Sequence, residues 1–285
     1  MTPRTAVFVG GAQVASVPAD DRGLAYGDGV FETMRAHHGT VPWWAAHWAR
    51  LSLGAERLGL ALPPEPRVRD EATRLLDGGD GVLKLVLTRG GGARGYAPPR
   101  APAPTWVLST HALPRPPRTG GLVLRWCDIR LSVQPRLAGL KHCNRLEHVL
   151  ARGEWPASGE PGGDAFDEGL LLDLEGQVAC ATAANVFVLR DGRWSTPPVD
   201  RCGVAGVLRA WMLRGAGALE RRLAPADVES ADAVVLTNAV RGILPVARLQ
   251  ARAWPPHPAV AALVARLAAA HPAFACQATV TKGDL

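Results

Sequence analysis

The feature that most constrains the fold is a proline-rich stretch near the middle of the chain. Residues 111–120 read His-Ala-Leu-Pro-Arg-Pro-Pro-Arg-Thr-Gly. Because proline fixes its own φ and lacks an amide hydrogen, this run fits neither a helix nor a central strand and forms an extended connector. We therefore predict a small N-terminal α/β domain of residues 1–112, a linker of residues 113–120, and a larger C-terminal domain of residues 121–285.

Both halves mix short strand-like runs with stretches of helical periodicity, and this mixture predicts an α+β fold. Turn residues between apolar runs indicate hairpins in the second half. The alanine-rich helix near the end of the chain is assigned to packing. The predicted elements are strands at 82–87 and 106–109, helices at 43–58 and 258–270, and hairpin turns at 174–176 and 191–192.

Composition excludes several classes of protein. With 285 residues, 47% hydrophobic and 20% charged, the chain is typical of a soluble globular protein with a sizeable core. The net charge of +6 is spread over single arginines without a lysine-rich block, so we expect an anionic small substrate and no nucleic-acid partner. No apolar run suits a signal peptide or a membrane helix, so we expect a cytoplasmic protein without a membrane partner.

Cysteine and histidine usage argues against disulfides and metals. The cysteines are odd in number and lack Cys-x-x-Cys spacing, so we expect free thiols. His142 and His148 have no carboxylates at ligand spacing, so no metal site is expected. The five cysteines are Cys127, Cys143, Cys180, Cys202 and Cys276.

One lysine stands at a position that suits catalysis. Lys141 directly follows the apolar Leu140 in the segment Gly139-Leu-Lys-His-Cys-Asn-Arg-Leu-Glu147. Asn144 and Glu147 have the form of a capping box, which predicts that Lys141 lies just outside a helix. A lysine placed there can form a Schiff base. The apolar residues at helical spacing in this segment are Leu146, Val149 and Leu150.

The lysine segment resembles the motif of the fold-type IV pyridoxal-phosphate enzymes, and within that family its form is similar to aminodeoxychorismate lyases. The resemblance implies a two-domain α+β fold like that of D-amino-acid aminotransferases. It extends over nearly the whole chain, because six further blocks stand in the family's order. These blocks are residues 21–33, 47–51, 88–96, 183–187, 203–209 and 237–239.

The resemblance also implies the cofactor, pyridoxal 5'-phosphate, and its contacts. Lys141 would carry the Schiff base. Val204 and Ala205 stand in a Gly-x-x-Gly turn before a predicted helix, where backbone amides and the helix dipole favour a phosphate. The remaining residues that the resemblance assigns to cofactor binding are Arg50, Cys180, Asn185, Thr237 and Asn238.

Cys180 departs from the family pattern. The family usually has a glutamate five residues before the asparagine of its Asn-x-Phe motif, here Asn185, and that carboxylate keeps the pyridine nitrogen protonated. A thiol, with an ordinary pKa of roughly 8.5, does not. This change weakens transamination more than an elimination that ends in an aromatic ring. It therefore favours a lyase over an aminotransferase.

The reaction implied by the resemblance converts 4-amino-4-deoxychorismate to 4-aminobenzoate and pyruvate, a step toward folate. Lys141 would act as base and acid, and Thr33 would hydrogen-bond near the leaving oxygen. Arg94 and Tyr96, in a glycine-rich loop, and Arg241 are candidates for binding the two substrate carboxylates. The family is usually a homodimer, so we expect one here.

Two other interpretations remain open at this point. The chain could be an aminotransferase for branched-chain or D-amino acids, which would exchange an amino donor with a 2-oxo acid. It could also be a noncatalytic relative that kept the fold but, with Cys180 in place of the glutamate, lost the group that keeps the pyridine nitrogen of the cofactor protonated. Analysis of the products separates all three.

Overall fold

A computed structural model of the protein describes residues 3–156, 160 and 165–275. Cys276, one of the five predicted free thiols, lies outside these residues. The chain divides into two compact units, the first reaching to Pro114 and including Leu140–Asn144, and the second formed by Arg115–Gly139 and the chain from Arg145 onward. The sequence had placed Lys141 in the C-terminal domain, whereas its segment packs with the first unit because it pairs with a strand there.

The first unit has three helices and five strands among its described residues. Their order in the chain is β1 (Thr5–Val9), β2 (Ala12–Val14), α1 (Arg22–Tyr26), β3 (Gly29–Ala36), α2 (Trp44–Leu58), α3 (Glu65–Leu76), β4 (Gly81–Thr88) and β5 (Thr105–His111). The strands form an antiparallel sheet in the order β2-β1-β5-β4-β3.

The sheet of the first unit has one buried and one partly exposed face. In β3 and β4 the buried and half-buried residues alternate, as the two-residue period of a strand requires. The buried face packs against α2 and α3, and Phe8 and Trp106 stack within this core at 3.8 Å between ring centroids. The other face carries the alternate residues of the same strands.

The second unit holds the remaining elements. They are β6 (Leu122–Leu131), α4 (Leu146–Arg152), β7 (Glu168–Asp173), β8 (Val178–Ala181), β9 (Asn185–Arg190), β10 (Arg193–Thr196), α5 (Val207–Gly215), β11 (Leu219–Glu220), α6 (Pro225–Glu229), β12 (Ala233–Asn238), β13 (Gly242–Leu249), β14 (Arg252–Ala253), α7 (Pro258–Ala270) and a 3-10 turn at Pro272–Phe274.

The strands of the second unit form a mixed sheet in the order β11-β10-β9-β12-β13-β6-β7-β8, with β14 paired to β13. The pairs β13–β6 and β6–β7 are parallel, whereas β9–β12 and β12–β13 are antiparallel. Strands β7, β8 and β12 are buried along nearly their whole length. This burial explains the apolar runs 170–172, 178–181 and 233–236 within these strands.

The predicted helices, strands and hairpins are confirmed, and the fold is α+β. One local prediction is wrong, because Asn144 and Glu147 do not form a capping box. Helix α4 begins after Arg145 without a side-chain cap, and the Glu147 carboxylate instead accepts a hydrogen bond from the Ser132 amide at 2.8 Å. A contact with a distant part of the chain thus replaced the local one. Within the described residues, no helix has the length and apolar character of a membrane span.

Candidate active site

The segment that carries Lys141 extends the sheet of the first unit. Strand β3 lies at the edge of that sheet, and its Phe31 amide donates to the Lys141 carbonyl at 2.9 Å. The Cys143 amide donates to the Gly29 carbonyl, also at 2.9 Å. Backbone pairing therefore fixes Lys141 directly opposite Phe31, on the same face of the sheet.

Lys141 shares this face with a threonine and a second lysine. Its ammonium lies 4.2 Å from the centroid of the Phe31 ring, and the ammonium of Lys84 lies 5.6 Å from the same centroid. Thr33 is the next residue of β3 on this face, and it pairs directly with Lys84 on β4. The face thus carries two lysine ammonium groups near one aromatic ring, with a threonine beside them.

The opposite face of β3 holds a buried ionic network. Glu32, 1% exposed, accepts hydrogen bonds from Arg50 Nε at 2.7 Å and from His47 Nδ1 at 2.7 Å. Burial acts to raise the pKa of Glu32, but attraction to Arg50 and the hydrogen bond from His47 outweigh it and lower that pKa. Helix α2 presents both partners. Arg50, predicted at the phosphate, is thus held by a carboxylate on the helix side of the sheet.

The glycine-rich loop after β4 carries the two residues that the sequence predicted for substrate binding. Arg94 is exposed, and Tyr96 is 86% exposed. The carbonyls of Gly95 and Tyr96 accept hydrogen bonds from a buried arginine, Arg22. The loop therefore has a defined backbone and outward-facing side chains.

In the second unit, Thr237 and Asn185 lie side by side on paired strands. Thr237 is 1% exposed, and its hydroxyl has no hydrogen-bond partner in the part of the chain that the structure describes. The Asn185 amide group donates to the Val204 carbonyl at 2.9 Å. A Cβ on Gly206 would lie 2.1 Å from Asn185 Oδ1, so a larger residue at the start of helix α5 would have to displace the Asn185 side chain.

The predicted phosphate turn needs a correction. The amide of Ala205 donates to the Gly139 carbonyl at 3.0 Å, so it is not available to an anion. Helix α5 has no side-chain cap at Gly206, and its first-turn amides, those of Val207 and Leu208, are the donors that a helix N-terminus offers. The sequence does not reveal that the Ala205 amide is already paired, because Gly139 lies more than sixty residues earlier in the chain.

Asn238 and Arg241 form the turn between β12 and β13. The Asn238 side chain accepts hydrogen bonds from the amides of Val240 and Arg241, at 3.0 and 2.7 Å, and donates to the Ala183 carbonyl at 3.2 Å. Asn238 therefore shapes the turn that bears Arg241, and it ties that turn to the loop before Asn185.

Cys180 lies in the apolar interior of the second unit. It is 4% exposed on β8 and packs in a cluster with Cys127 and Leu171. Burial, with a smaller effect of Cys202, raises the pKa of the Cys180 thiol to about 12. Cys180 is therefore a neutral thiol throughout the physiological pH range.

Comparisons with known proteins identify the family. A profile of the family described as amino-transferase class IV matches residues 29–249. The chain belongs to the class IV aminotransferase family. It is 33% identical to an aminodeoxychorismate lyase of Vibrio harveyi over 254 residues, which cover 86% of this chain and 91% of the relative.

Two further class IV relatives illustrate the range of the family. A crystal structure of 4-amino-4-deoxychorismate lyase from Pseudomonas aeruginosa superposes with a TM-score of 0.84 at 41% identity, covering 92% of this chain and 98% of that one. A D-alanine aminotransferase of Bacillus licheniformis is 26% identical over 250 residues, which cover 81% of this chain and 82% of the relative. The family thus includes lyases and aminotransferases.

Sequence reasoning missed Glu168, a buried carboxylate of this class IV chain. Glu168 begins β7 and accepts hydrogen bonds from the Gly169 amide at 3.0 Å and from the amide and hydroxyl of Thr182. Burial raises the pKa of Glu168 above its usual value, against the effect of these hydrogen bonds. An acidic residue at the start of the run Glu168-Gly-Leu-Leu-Leu172 was the available signal.

Lys84 and Glu32 were also missed, and both had a signal in the sequence. The chain has only three lysines, and Lys84 interrupts an otherwise apolar strand. Glu32 lies in a strand whose even-numbered residues are apolar on either side of it. A charged residue at such a position requires a partner, and the strand period alone could have predicted that it points toward α2.

A separate polar group lies on the first unit, where His37 and His38 meet Asp80. The Asp80 carboxylate accepts from the His38 amide at 2.7 Å and lies 3.2 Å from His37 Nδ1. The ligand-type atoms of all three residues lie within 4.8 Å of one another. These hydrogen bonds account for the arrangement, and we assign no metal to it.

Proposed function

We propose that this protein is a 4-amino-4-deoxychorismate lyase, which converts its substrate to 4-aminobenzoate and pyruvate. The observation that carries the proposal is Cys180, a buried neutral thiol at the position where the resemblance expects a carboxylate. A neutral partner gives the pyridine ring little help in stabilising negative charge. An elimination that creates an aromatic ring needs less of that help than a transamination does. Similarity to two lyases supports the same reaction.

The cofactor is pyridoxal 5'-phosphate, and the chain has groups that fit its parts. Lys141 supplies an amine, and Thr237 supplies a buried hydroxyl that has no hydrogen-bond partner among the described residues. The first-turn amides of Val207 and Leu208 suit a phosphate dianion. Arg50, which the resemblance assigns to the phosphate, is instead paired with Glu32. When bound, the cofactor withdraws electrons from the carbon that bears the substrate nitrogen, so that its proton becomes acidic.

Lys141 performs the proton transfers. Its amine removes the proton from the carbon that bears the nitrogen, the enolpyruvyl carbon–oxygen bond breaks, and the lysine returns a proton to the departing group. Thr33, on the same face of the sheet, donates a hydrogen bond to the leaving oxygen. This elimination needs neither an oxidant nor an oxo acid as co-substrate. The released enolpyruvate becomes pyruvate, and the ring that remains becomes aromatic.

The substrate carries two carboxylates, and the chain offers cations for them. Lys84 lies on the Lys141 face of the first unit, and Arg94 lies on the exposed loop. Tyr96 and Arg241 complete the set of proposed substrate contacts. The excess of basic residues in the composition agrees with such a substrate.

Replacing Thr237 by valine tests the phosphate assignment. We expect affinity for the cofactor to fall about tenfold, because the hydroxyl that would donate to the phosphate is lost. The variant without cofactor should be as stable as wild type or slightly more so, since the substitution removes a buried hydroxyl that no described residue hydrogen-bonds. Titration with pyridoxal phosphate and with pyridoxal, which lacks the phosphate, measures the effect. Equal losses for both ligands would contradict the assignment.

We also propose that the protein is a homodimer. Three apolar residues on one side of α4 are exposed, with Leu146 at 77%, Val149 at 62% and Leu150 at 60%. A second copy of the chain is the occupant that we propose for this surface. Sedimentation velocity should give twice the mass of the chain, and Leu150→Glu should shift the protein toward monomer. A monomeric wild-type protein would refute this part of the proposal.

Product analysis tests the proposed reaction against its alternatives. The enzyme, loaded with pyridoxal phosphate, is supplied with 4-amino-4-deoxychorismate, and 4-aminobenzoate and pyruvate are measured. In parallel it receives a D-amino acid or a branched-chain amino acid with 2-oxoglutarate. Formation of 4-aminobenzoate without amino transfer is the expected result. Amino transfer alone would favour the aminotransferase, and the absence of both reactions would favour a noncatalytic relative.

A further inference from the structure

The loop that carries Arg94 and Tyr96 is held by one buried side chain. Arg22, the first residue of α1, is 4% exposed. Its guanidinium donates to three successive carbonyls of the loop, those of Gly95 at 2.9 Å, Tyr96 at 2.9 Å and Ala97 at 3.4 Å. One rigid fork of donors therefore sets the path of three consecutive peptide groups.

Arg22 is itself oriented by a carboxylate. Its Nε donates to Asp28 at 2.9 Å, and the same carboxylate accepts from Arg89 at 2.7 and 3.0 Å. Burial acts to raise the pKa of Asp28, but hydrogen bonds from Arg89 and Arg22 lower it. Asp28 is thus ionised at neutral pH, and it fixes the plane of the Arg22 guanidinium.

Two tyrosines complete the arrangement. The guanidinium of Arg22 stacks over the Tyr26 ring at 4.9 Å, and the Tyr26 hydroxyl accepts from the Gly95 amide at 3.2 Å. The rings of Tyr26 and Tyr96 meet edge to face at 5.5 Å. Gly95 has φ of 102°, a conformation that other residues rarely adopt, so the loop can turn where Arg22 holds it.

We propose that Arg22 is a positioning residue for substrate recognition, which holds residues 92–98 in the conformation where Arg94 and Tyr96 bind an anionic substrate. This inference rests on the proposed function for the identity of the substrate. The holding of the loop rests only on the contacts of Arg22. Because those contacts are to backbone carbonyls, they leave the side chains of Arg94 and Tyr96 directed to solvent, where they remain available to a ligand.

Limited trypsin digestion tests the holding of the loop without any activity measurement. Trypsin cleaves after Arg94, and in Arg22→Gln we expect this bond to be cut about tenfold or more faster than in wild type, because the loop opens more often. Arg22→Lys, which keeps the charge but not the planar fork, should give an intermediate rate. Arg89→Gln is the matched control. Arg89 is the other partner of Asp28, and its own side chain binds the carbonyls of Leu58 and Gly59 and not residues 92–98. Arg89→Gln should therefore leave the cleavage rate near that of wild type.

Steady-state kinetics tests the link to recognition. In Arg22→Gln we expect KM for 4-amino-4-deoxychorismate to rise about tenfold while kcat changes less than about threefold, since the loop binds substrate and Lys141 performs the chemistry. A fall in kcat at unchanged KM would overturn the role in recognition. Wild-type cleavage rates in both Arg22 variants would overturn the inference altogether. If wild type forms no 4-aminobenzoate but the cleavage difference persists, the proposed function fails and the holding of the loop stands.

Discussion

Replacing Lys141 by alanine is expected to reduce 4-aminobenzoate formation by at least about 10³-fold, because in the proposed reaction one amine serves as attachment point, base and acid. Lys141→Arg should be equally inactive. It keeps a positive charge near Phe31 but cannot form the carbon–nitrogen double bond with the cofactor. The two variants therefore separate the chemistry of the amine from its charge.

Borohydride reduction of the loaded enzyme gives an independent measurement. In wild type it should attach the cofactor covalently to the peptide that carries Lys141, and in both variants it should leave that peptide unmodified. Melting temperatures should stay close to wild type, since Lys141 is only half-buried. Retained activity in Lys141→Ala, or an adduct on Lys84, would show that the catalytic amine had been misassigned.

The second large effect is expected on stability, from Glu32→Gln. Glu32 is 1% exposed and its ion pair with Arg50 lies on the helix side of β3. Removing one partner of a buried ion pair leaves the other charge uncompensated and typically costs about 3–5 kcal/mol. We expect urea unfolding of the protein without cofactor to report a loss of this size.

A surface ion pair on the same unit provides the control. Glu71 and Arg74 lie one turn apart on α3, with the arginine side chain 57% exposed. Glu71→Gln should cost less than about 1 kcal/mol, because solvent screens exposed pairs. Equal effects of the two substitutions would mean that the network around Glu32 contributes no more than a surface pair does.

The direction of the Glu32 pKa also predicts a pH dependence. The pKa of Glu32 in the folded protein is lowered from its ordinary value of 4.5. The stabilisation by this group is therefore fully present above pH 4.5 and is lost as pH falls through the folded-state pKa. Wild type and Glu32→Gln should consequently converge in stability under acid conditions. A constant difference between them from pH 7 to pH 3 would contradict the linkage.

Local sequence patterns predicted the regular elements well. Helix α7 was expected at residues 258–270 and has those bounds, and the hairpins turn where Gly176 and Asp191-Gly192 stand. These features depend on residues close in the chain, so that periodicity and turn chemistry are sufficient to find them. The resemblance of the motifs likewise predicted the family that the comparisons identified.

Predictions failed where a local pattern competed with a distant contact. The Glu147 carboxylate accepts from the Ser132 amide and not from the start of its own helix. The Ala205 amide donates to the Gly139 carbonyl and is therefore not available to an anion. In each case the sequence contained a valid local motif. The partner that displaced it is brought near by the arrangement of strands, which the local motif does not encode.

The sequence by itself determined the α+β class and the family, and it selected Lys141 as the candidate catalytic residue, because each depends on residue types in a fixed order along the chain. Only the tertiary structure decided which groups surround that lysine. Strand register places Thr33 beside Lys84 and aligns Phe31 with Lys141. The buried guanidinium of Arg22 binds a loop more than seventy residues away. The physical reason is that side-chain proximity follows from sheet pairing and burial, and both are set by the whole fold.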